Sequence, residues 1–126
     1  MDALEESYQS QNCWGMVASV DCYHCDRTKI TNPEEIKRFI YELCDHIKMV
    51  RHGEPLIERF AEGAMEGYSA MQFIETSSVT MHFDEEQDRS FIDIFSCKYF
   101  NPQEAEKFCR EFLSASSSKV THYFRV

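Results

Sequence analysis

Residues 74–97 read IETSSVTMHFDEEQDRSFIDIFSC, and this stretch predicts a β-hairpin. Apolar and polar residues alternate through 78–83, which is typical of a strand that buries one face, and the largely apolar run 90–96 is a second strand candidate. The charged residues 84–89 separate the two runs and supply a turn. We therefore predict that the two runs pair as adjacent antiparallel strands.

The same helix-start signal occurs on both sides of this hairpin. Asn32-Pro33 and Asn101-Pro102 each place a capping side chain before a proline that suits the first helical turn. Apolar residues then recur at helical spacing, at Ile36, Phe39, Ile40, Leu43, Cys44 and Ile47 in the first segment and at Ala105, Phe108, Cys109, Phe112 and Leu113 in the second. We predict two amphipathic helices, the first of which ends near Lys48.

Further strands are predicted at 14–23, 68–74 and 119–126, and the short segment 56–60 is an additional candidate. Residues 1–12, 26–31 and 62–67 are predicted to be irregular, the first of them as a loose lead-in. Without the short segment the order is β-α-β-β-β-α-β, within one domain that spans 1–126. This order predicts an α+β fold of two layers, an antiparallel sheet with two helices on one face.

The charge and composition of the chain argue against several classes of function. The formal net charge is −9, whereas nucleic-acid binding calls for a basic surface. No run reaches the roughly 18 apolar residues that span a bilayer. The N-terminus is acidic and polar, unlike a signal or transit peptide. We therefore expect a cytoplasmic protein with no membrane or nucleic-acid partner.

Six cysteines are expected to be reduced thiols in that compartment. Cys22 and Cys25 form a single C-x-x-C pair, whereas a structural zinc site needs a second pair of ligands. The histidines show no ligand spacing such as H-E-x-x-H. We therefore predict no metal, and we predict that Cys44 and Cys109 pack in the core from the apolar faces of the helices.

The segments TSSVTMH at 76–82 and DIFSC at 93–97 are similar to two segments of the small S-adenosylmethionine decarboxylases of bacteria and archaea. That family carries Glu-Ser-His-Leu-Thr-Ile-His and Asp-Ile-Phe-Thr-Cys, and no gap is needed between them. Ser77 falls on the serine that yields the family's pyruvoyl group, His82 on its second histidine and Cys97 on its cysteine. The opening strand, which ends in YHCD, also resembles the family's opening strand, which ends in Tyr-Gly-Cys-Asp.

The resemblance implies a proenzyme that cleaves itself between Thr76 and Ser77 into a β chain of residues 1–76 and an α chain of residues 77–126. The pyruvoyl group formed from Ser77 would make a Schiff base with S-adenosylmethionine and accept electrons as CO₂ leaves. His82 would act as a base in self-cleavage. Cys97 would return a proton to the substrate carbon. The product would supply the aminopropyl group of spermidine.

The resemblance also implies residues that bind the substrate. Glu86 matches the family's acidic residue four positions after the histidine and resembles a ligand of the ribose hydroxyls. Glu75 is a second acidic candidate for the cationic sulfonium. Phe60 and Phe83 are candidates to stack on adenine or lie against the sulfonium. The family further implies a homodimer of αβ units, in which each active site borrows residues from the neighbouring subunit.

The chain departs from the family pattern beside the predicted scissile bond. Thr76 stands where the family has glutamate, Ser78 where it has histidine, and Asp84-Glu85 where it has Trp-Pro. Three alternatives therefore stay open: cleavage between Ser77 and Ser78, a pyruvoyl decarboxylase that acts on ornithine or arginine, and an uncleaved ligand-binding relative without catalysis.

Overall fold

The computed structural model describes residues 2–126, in which six strands form one antiparallel sheet. The strands are β1 (Gly15–Tyr23), β2 (Leu56–Phe60), β3 (Gly67–Ile74), β4 (Ser77–Asp84), β5 (Arg89–Ser96) and β6 (Ser117–Arg125). Their order across the sheet is β2-β3-β4-β5-β1-β6. The helices are α1 (Ala3–Ser10), α2 (Arg27–Ile30), α3 (Pro33–His46) and α4 (Pro102–Phe112), and a 3₁₀ turn spans Gly63–Met65.

The two predicted helices form as their start signals indicate. The Asn32 side chain accepts a hydrogen bond from the Glu34 N–H, and the Asn101 side chain accepts from the N–H groups of Gln103 and Glu104. Both helices bury their apolar stripes against one face of the sheet, so the predicted α+β sandwich is confirmed. Cys44 and Cys109 are fully buried in this core, as predicted.

The structure corrects the predicted elements in several places. Four strands rather than three lie between α3 and α4, because residues 56–60 pair with β3 and form the edge of the sheet. Residues 26–31 contain the one-turn helix α2, which Asp26 caps. Helix α3 ends at His46, slightly earlier than expected.

Residues 1–12 were predicted to be a loose lead-in, and this prediction was wrong for the described part. Helix α1 occupies Ala3–Ser10, with the Asp2 side chain as its N-cap. Tyr8 anchors the helix, since its side chain is only 5% exposed and its ring packs against Tyr99 and Phe124. An isolated helix of this length is unstable in water, so α1 depends on these contacts with residues near the other end of the chain.

The sheet face opposite α3 and α4 is open and carries several large apolar side chains. Those at 41–59% exposure are Leu56, Phe60, Met71, Phe73 and Tyr123. Exposed apolar residues gathered on one face are typical of interaction surfaces or ligand sites. Within residues 2–126, none of the helices has the length and apolar character required to cross a membrane.

Candidate active site

Ser77 begins β4 directly after a two-residue turn. Ile74 pairs with Ser77 across the β3–β4 hairpin, so Glu75 and Thr76 alone form the connection. The φ angle of Ser77 is +150°. A residue with a side chain adopts this conformation at a cost of about 1–3 kcal/mol, which the surrounding structure must offset. The peptide bond before Ser77 therefore lies in a strained and tightly held turn.

The carbonyl of Thr76 belongs to that same peptide bond. Its oxygen accepts a hydrogen bond of 2.9 Å from the backbone N–H of Cys97. An N–H aimed at a carbonyl oxygen polarises the bond and stabilises negative charge that develops on the oxygen. The Thr76–Ser77 peptide is therefore both strained and polarised.

The Thr76 side chain is fixed by the neighbouring strand. The fully buried Ser96 donates its hydroxyl proton to Thr76 Oγ1 at 2.9 Å, and Ser96 Oγ accepts from the Lys98 N–H at 3.0 Å. Ser96 is also the partner of Ser77 in the β4–β5 pairing. The threonine at position 76 is thus built into the hydrogen-bond network that joins the turn to the end of β5.

Cys97 follows β5 and lies next to this turn, and its side chain is exposed. The structure therefore places Ser77 and Cys97 at the same end of the paired strands β4 and β5. The thiol is at the surface while the amide of the same residue holds the Thr76 carbonyl.

His82 lies elsewhere in the same chain. It is five positions further along β4, which corresponds to a separation of about 16 Å along the strand. His82 is exposed on the open face. One chain by itself therefore does not bring His82 to Ser77.

Ser69 is a partner of His82 that the sequence analysis missed. The two residues pair across β3 and β4, and Ser69 Oγ lies 2.8 Å from His82 Nδ1. When Nδ1 carries the proton and donates to Ser69, Nε2 is free to act as a base. A two-residue turn at 75–76 fixes the register that pairs them, so recognising this turn in the sequence would have identified Ser69.

A shallow cavity of about 300 Å³ surrounds this pair on the open face. Its walls combine apolar and polar side chains, with an acidic group at Glu58. The lining residues are Leu56, Glu58, Phe60, Ser69, Ala70, Met71, Thr80 and His82. Phe60, predicted as a stacking residue, is 53% exposed and contributes an aromatic wall. Such a cavity suits a flat ring that carries a nearby positive charge.

The other three predicted binding residues lie in three different places. Phe83 is 5% exposed and belongs to the core on the helix-covered face, and it also lines a cavity of about 400 Å³ with Phe60, Ser69 and His82. Its position follows from the alternation of Val79, Met81 and Phe83 along β4. Glu86 is exposed in the β4–β5 turn, at the opposite end of β4 from Ser77, and Glu75 is exposed in the β3–β4 turn.

The buried cysteines are unsuited to reaction or metal binding at neutral pH. Burial raises the pKa of Cys22 to about 12 and that of Cys44 to about 11. Cys25 lies 3.3 Å from the Ser90 hydroxyl and is also buried. Over residues 2–126, no three histidine, cysteine or acidic side chains are arranged to hold a metal ion.

Comparisons with known proteins agree with this architecture. The crystal structure of the adenosylmethionine decarboxylase from Aquifex aeolicus VF5 superimposes with a TM-score of 0.74 over 90% of this chain and 91% of that chain. The two sequences are 16% identical, so this likeness concerns the fold. No curated protein sequence matches the chain. The sequence model of one family, described as S-adenosylmethionine decarboxylase, matches residues 17–126. Because this match covers most of its length, the chain belongs to the S-adenosylmethionine decarboxylase family of carboxy-lyases.

Proposed function

We propose that this enzyme decarboxylates S-adenosylmethionine with a pyruvoyl group made from its own Ser77, after self-cleavage between Thr76 and Ser77. The geometry of that peptide bond is the observation that carries the proposal. Ser77 has a φ of +150°, and the Thr76 carbonyl oxygen accepts from the Cys97 N–H at 2.9 Å. Strain raises the energy of the intact peptide, and the N–H stabilises the oxyanion that forms when the carbonyl is attacked.

The cleavage proceeds in steps that conserve atoms. Ser77 Oγ attacks the Thr76 carbonyl carbon, the C–N bond breaks, and an ester joins the two residues through oxygen. A base removes the Cα proton of Ser77, and the Thr76 carboxylate leaves. Water then replaces the nitrogen of the resulting α-chain terminus, so ammonia is released and a ketone remains. No oxidant or external cofactor is consumed.

The two fragments would remain associated after cleavage. Residues 1–76 contain β1, β2 and β3, and residues 77–126 contain β4, β5 and β6. Strand β1 lies between β5 and β6, and β3 pairs with β4. The fragments are therefore interleaved in one sheet, and their separation would require disruption of the sheet.

The described residues fit a pyruvoyl group at position 77. Strand β4 begins paired with Ile74 and Ser96, so the new terminus would stay close to the backbone of Cys97, whose thiol is exposed. The pyruvoyl group supplies an electron-accepting carbonyl for the decarboxylation. Cys97 delivers a proton to the substrate carbon once CO₂ has left.

A second copy of the chain would complete the site. Ser77 and His82 of one chain lie about 16 Å apart along β4, whereas the open face carries the apolar residues, the cavity and the Ser69–His82 pair. In a homodimer formed through open faces, His82 of the partner subunit serves as the base for the elimination step. Glu58 and Phe60 offer a negative charge and an aromatic surface to a cationic nucleoside. The product carries the aminopropyl group used in spermidine synthesis.

The substrate is tested by CO₂ release from carboxyl-labelled compounds. Purified protein should release label from S-adenosylmethionine and not from ornithine or arginine, and the Ser77→Ala variant should release none. Turnover of ornithine or arginine instead would overturn the substrate assignment and keep the pyruvoyl chemistry. No release from any of the three by fully cleaved protein would overturn the decarboxylase proposal.

A further inference from the structure

Helix α1 lies outside the residues that the family model matches. The family match begins at residue 17, whereas α1 spans Ala3–Ser10. Its N-cap Asp2 accepts hydrogen bonds from Tyr99 Oη at 2.9 Å and from Asn101 Nδ2 at 3.1 Å. Asn101 caps α4, so the start of α1 is tied to the segment that follows Cys97.

The other end of α1 reaches Cys97 itself. Tyr8 Oη donates a hydrogen bond of 3.0 Å to the carbonyl oxygen of Cys97. The ring of Tyr8 is held between Tyr99 and Phe124, with centroid distances of 5.7 and 5.6 Å. Burial raises the pKa of Tyr8, so the hydroxyl keeps the proton that it donates at neutral pH.

Cys97 therefore has its backbone fixed on both sides. Its N–H is bonded to the Thr76 carbonyl and its own carbonyl to Tyr8. The residue follows the last position of β5, so the strand ladder does not hold it. If the Tyr8 hydroxyl were removed, the Cys97 carbonyl would lose the hydrogen bond from α1. The peptide planes on either side of Cys97 would then be free to reorient.

We infer that Tyr8 is a positioning residue for self-cleavage and for the Cys97 thiol, and that α1 serves to deliver its hydroxyl to the Cys97 carbonyl. The inference rests on the proposed function, because it assigns Tyr8 to the same scissile peptide. Tyr8 touches neither the Thr76 carbonyl nor the substrate carbon. It acts through the backbone of Cys97. The N–H of Cys97 donates to the Thr76 carbonyl, and the thiol of Cys97 is proposed to protonate the substrate carbon.

The test compares Tyr8→Phe with Tyr99→Phe in the full-length chain. Tyr8→Phe keeps the packed ring and removes the hydroxyl that reaches Cys97. Tyr99→Phe is the matched control, since it removes a hydroxyl that bonds to Asp2 and leaves the Cys97 contact in place. Cleavage of newly synthesised protein is followed by intact-mass measurement over time, and thermal unfolding of each variant is measured in a Ser77→Ala background.

We expect Tyr8→Phe to cleave about five- to tenfold more slowly than wild type, which corresponds to the loss of one hydrogen bond. Tyr99→Phe should cleave at close to the wild-type rate even where it unfolds at a lower temperature. In the cleaved fraction, Tyr8→Phe should lower kcat and leave KM unchanged, because the thiol and not the substrate cavity is misplaced.

The outcomes separate this inference from the proposed function. If the wild type cleaves and Tyr8→Phe has the same cleavage rate and the same kcat, the role of Tyr8 is overturned and the proposed function stands. Equal slowing in Tyr8→Phe and Tyr99→Phe would also overturn it, because docking of α1 in general would then explain the effect. A wild-type chain that never cleaves would overturn the proposed function and remove the reaction that Tyr8 is inferred to assist.

Discussion

The backbone N–H of Cys97 donates a hydrogen bond of 2.9 Å to the carbonyl oxygen of Thr76. One residue thereby links the peptide that is proposed to break with the thiol that is proposed to protonate the product. The amide and the thiol of Cys97 are chemically independent, so their two roles can be separated by substitution.

Cys97→Ala should separate cleavage from decarboxylation. The variant keeps the backbone N–H, so its cleavage rate should remain within about threefold of wild type. It lacks the proton donor, so kcat for decarboxylation should fall by about 10²–10⁴-fold. Intact-mass time courses and labelled CO₂ release measure the two effects. A variant that stays uncleaved, or one that is cleaved and fully active, would contradict this division of roles.

His82 is expected to act across the subunit interface. When differently tagged Ser77→Ala and His82→Ala chains are co-expressed, a mixed dimer joins the intact Ser77 of one chain to the intact His82 of the other. The His82→Ala chain should then be cleaved, although it stays largely uncleaved when expressed alone. Intact-mass measurement of each tagged chain gives the result.

The same experiment distinguishes action within one chain. If mixed dimers form but the His82→Ala chain stays uncleaved, His82 acts within its own chain or the interface differs from the open face. If the His82→Ala chain cleaves normally by itself, this histidine has no part in cleavage.

The sequence was most informative where local chemistry determines structure. Asn32 and Asn101 each cap a helix through their own side chain, so both helices were predictable from a few residues. Helix α1 was not predicted, because its stability depends on contacts of Tyr8 with Tyr99 and Phe124, which lie far away along the chain. Local propensity carries no signal for such contacts.

The sequence predicted only part of the candidate site, because some of its geometry also depends on how distant residues are arranged. The family motif groups Ser77 with Cys97, and in the structure the Cys97 N–H bonds to the carbonyl of Thr76, the residue before Ser77. The separation of Ser77 from His82 follows from the extended strand between them, which the motif does not express. Phe83 was a candidate, with Phe60, to stack on adenine or lie against the sulfonium. Alternation along β4 directs it into the core instead, and this signal was available in the sequence.

The ion pair between Arg59 and Glu85 should make the free energy of unfolding depend on pH in the acidic range. Glu85 accepts two hydrogen bonds from Arg59, at 2.6 and 2.9 Å, and these lower the pKa of Glu85 below its ordinary value of 4.5. A carboxyl group with a lowered pKa in the folded state stabilises the protein above pH 4.5 and loses that effect as the pH falls further. The partly exposed Arg59 limits the contribution to about 0.5–1 kcal/mol.

Glu85→Gln in the Ser77→Ala background tests this dependence in an uncleaved chain. At pH 7 the variant should have a free energy of unfolding about 0.5–1 kcal/mol lower than its parent in urea titrations. The difference should shrink as the pH falls below 4.5. Glu111→Gln, at an exposed position on α4, should match the parent throughout. A difference for Glu85→Gln that is independent of pH would contradict the assignment.

The central claim is that the chain cleaves itself between Thr76 and Ser77 and converts Ser77 into a pyruvoyl group. Intact-protein mass spectrometry of freshly purified protein under denaturing conditions, with Ser77→Ala as control, tests it most directly. We expect two fragments that divide after Thr76, with the C-terminal fragment lighter by one ammonia than a fragment that begins with serine. The control should give one unbroken mass. A single mass near 14.9 kDa for the wild-type chain after long incubation would contradict the account.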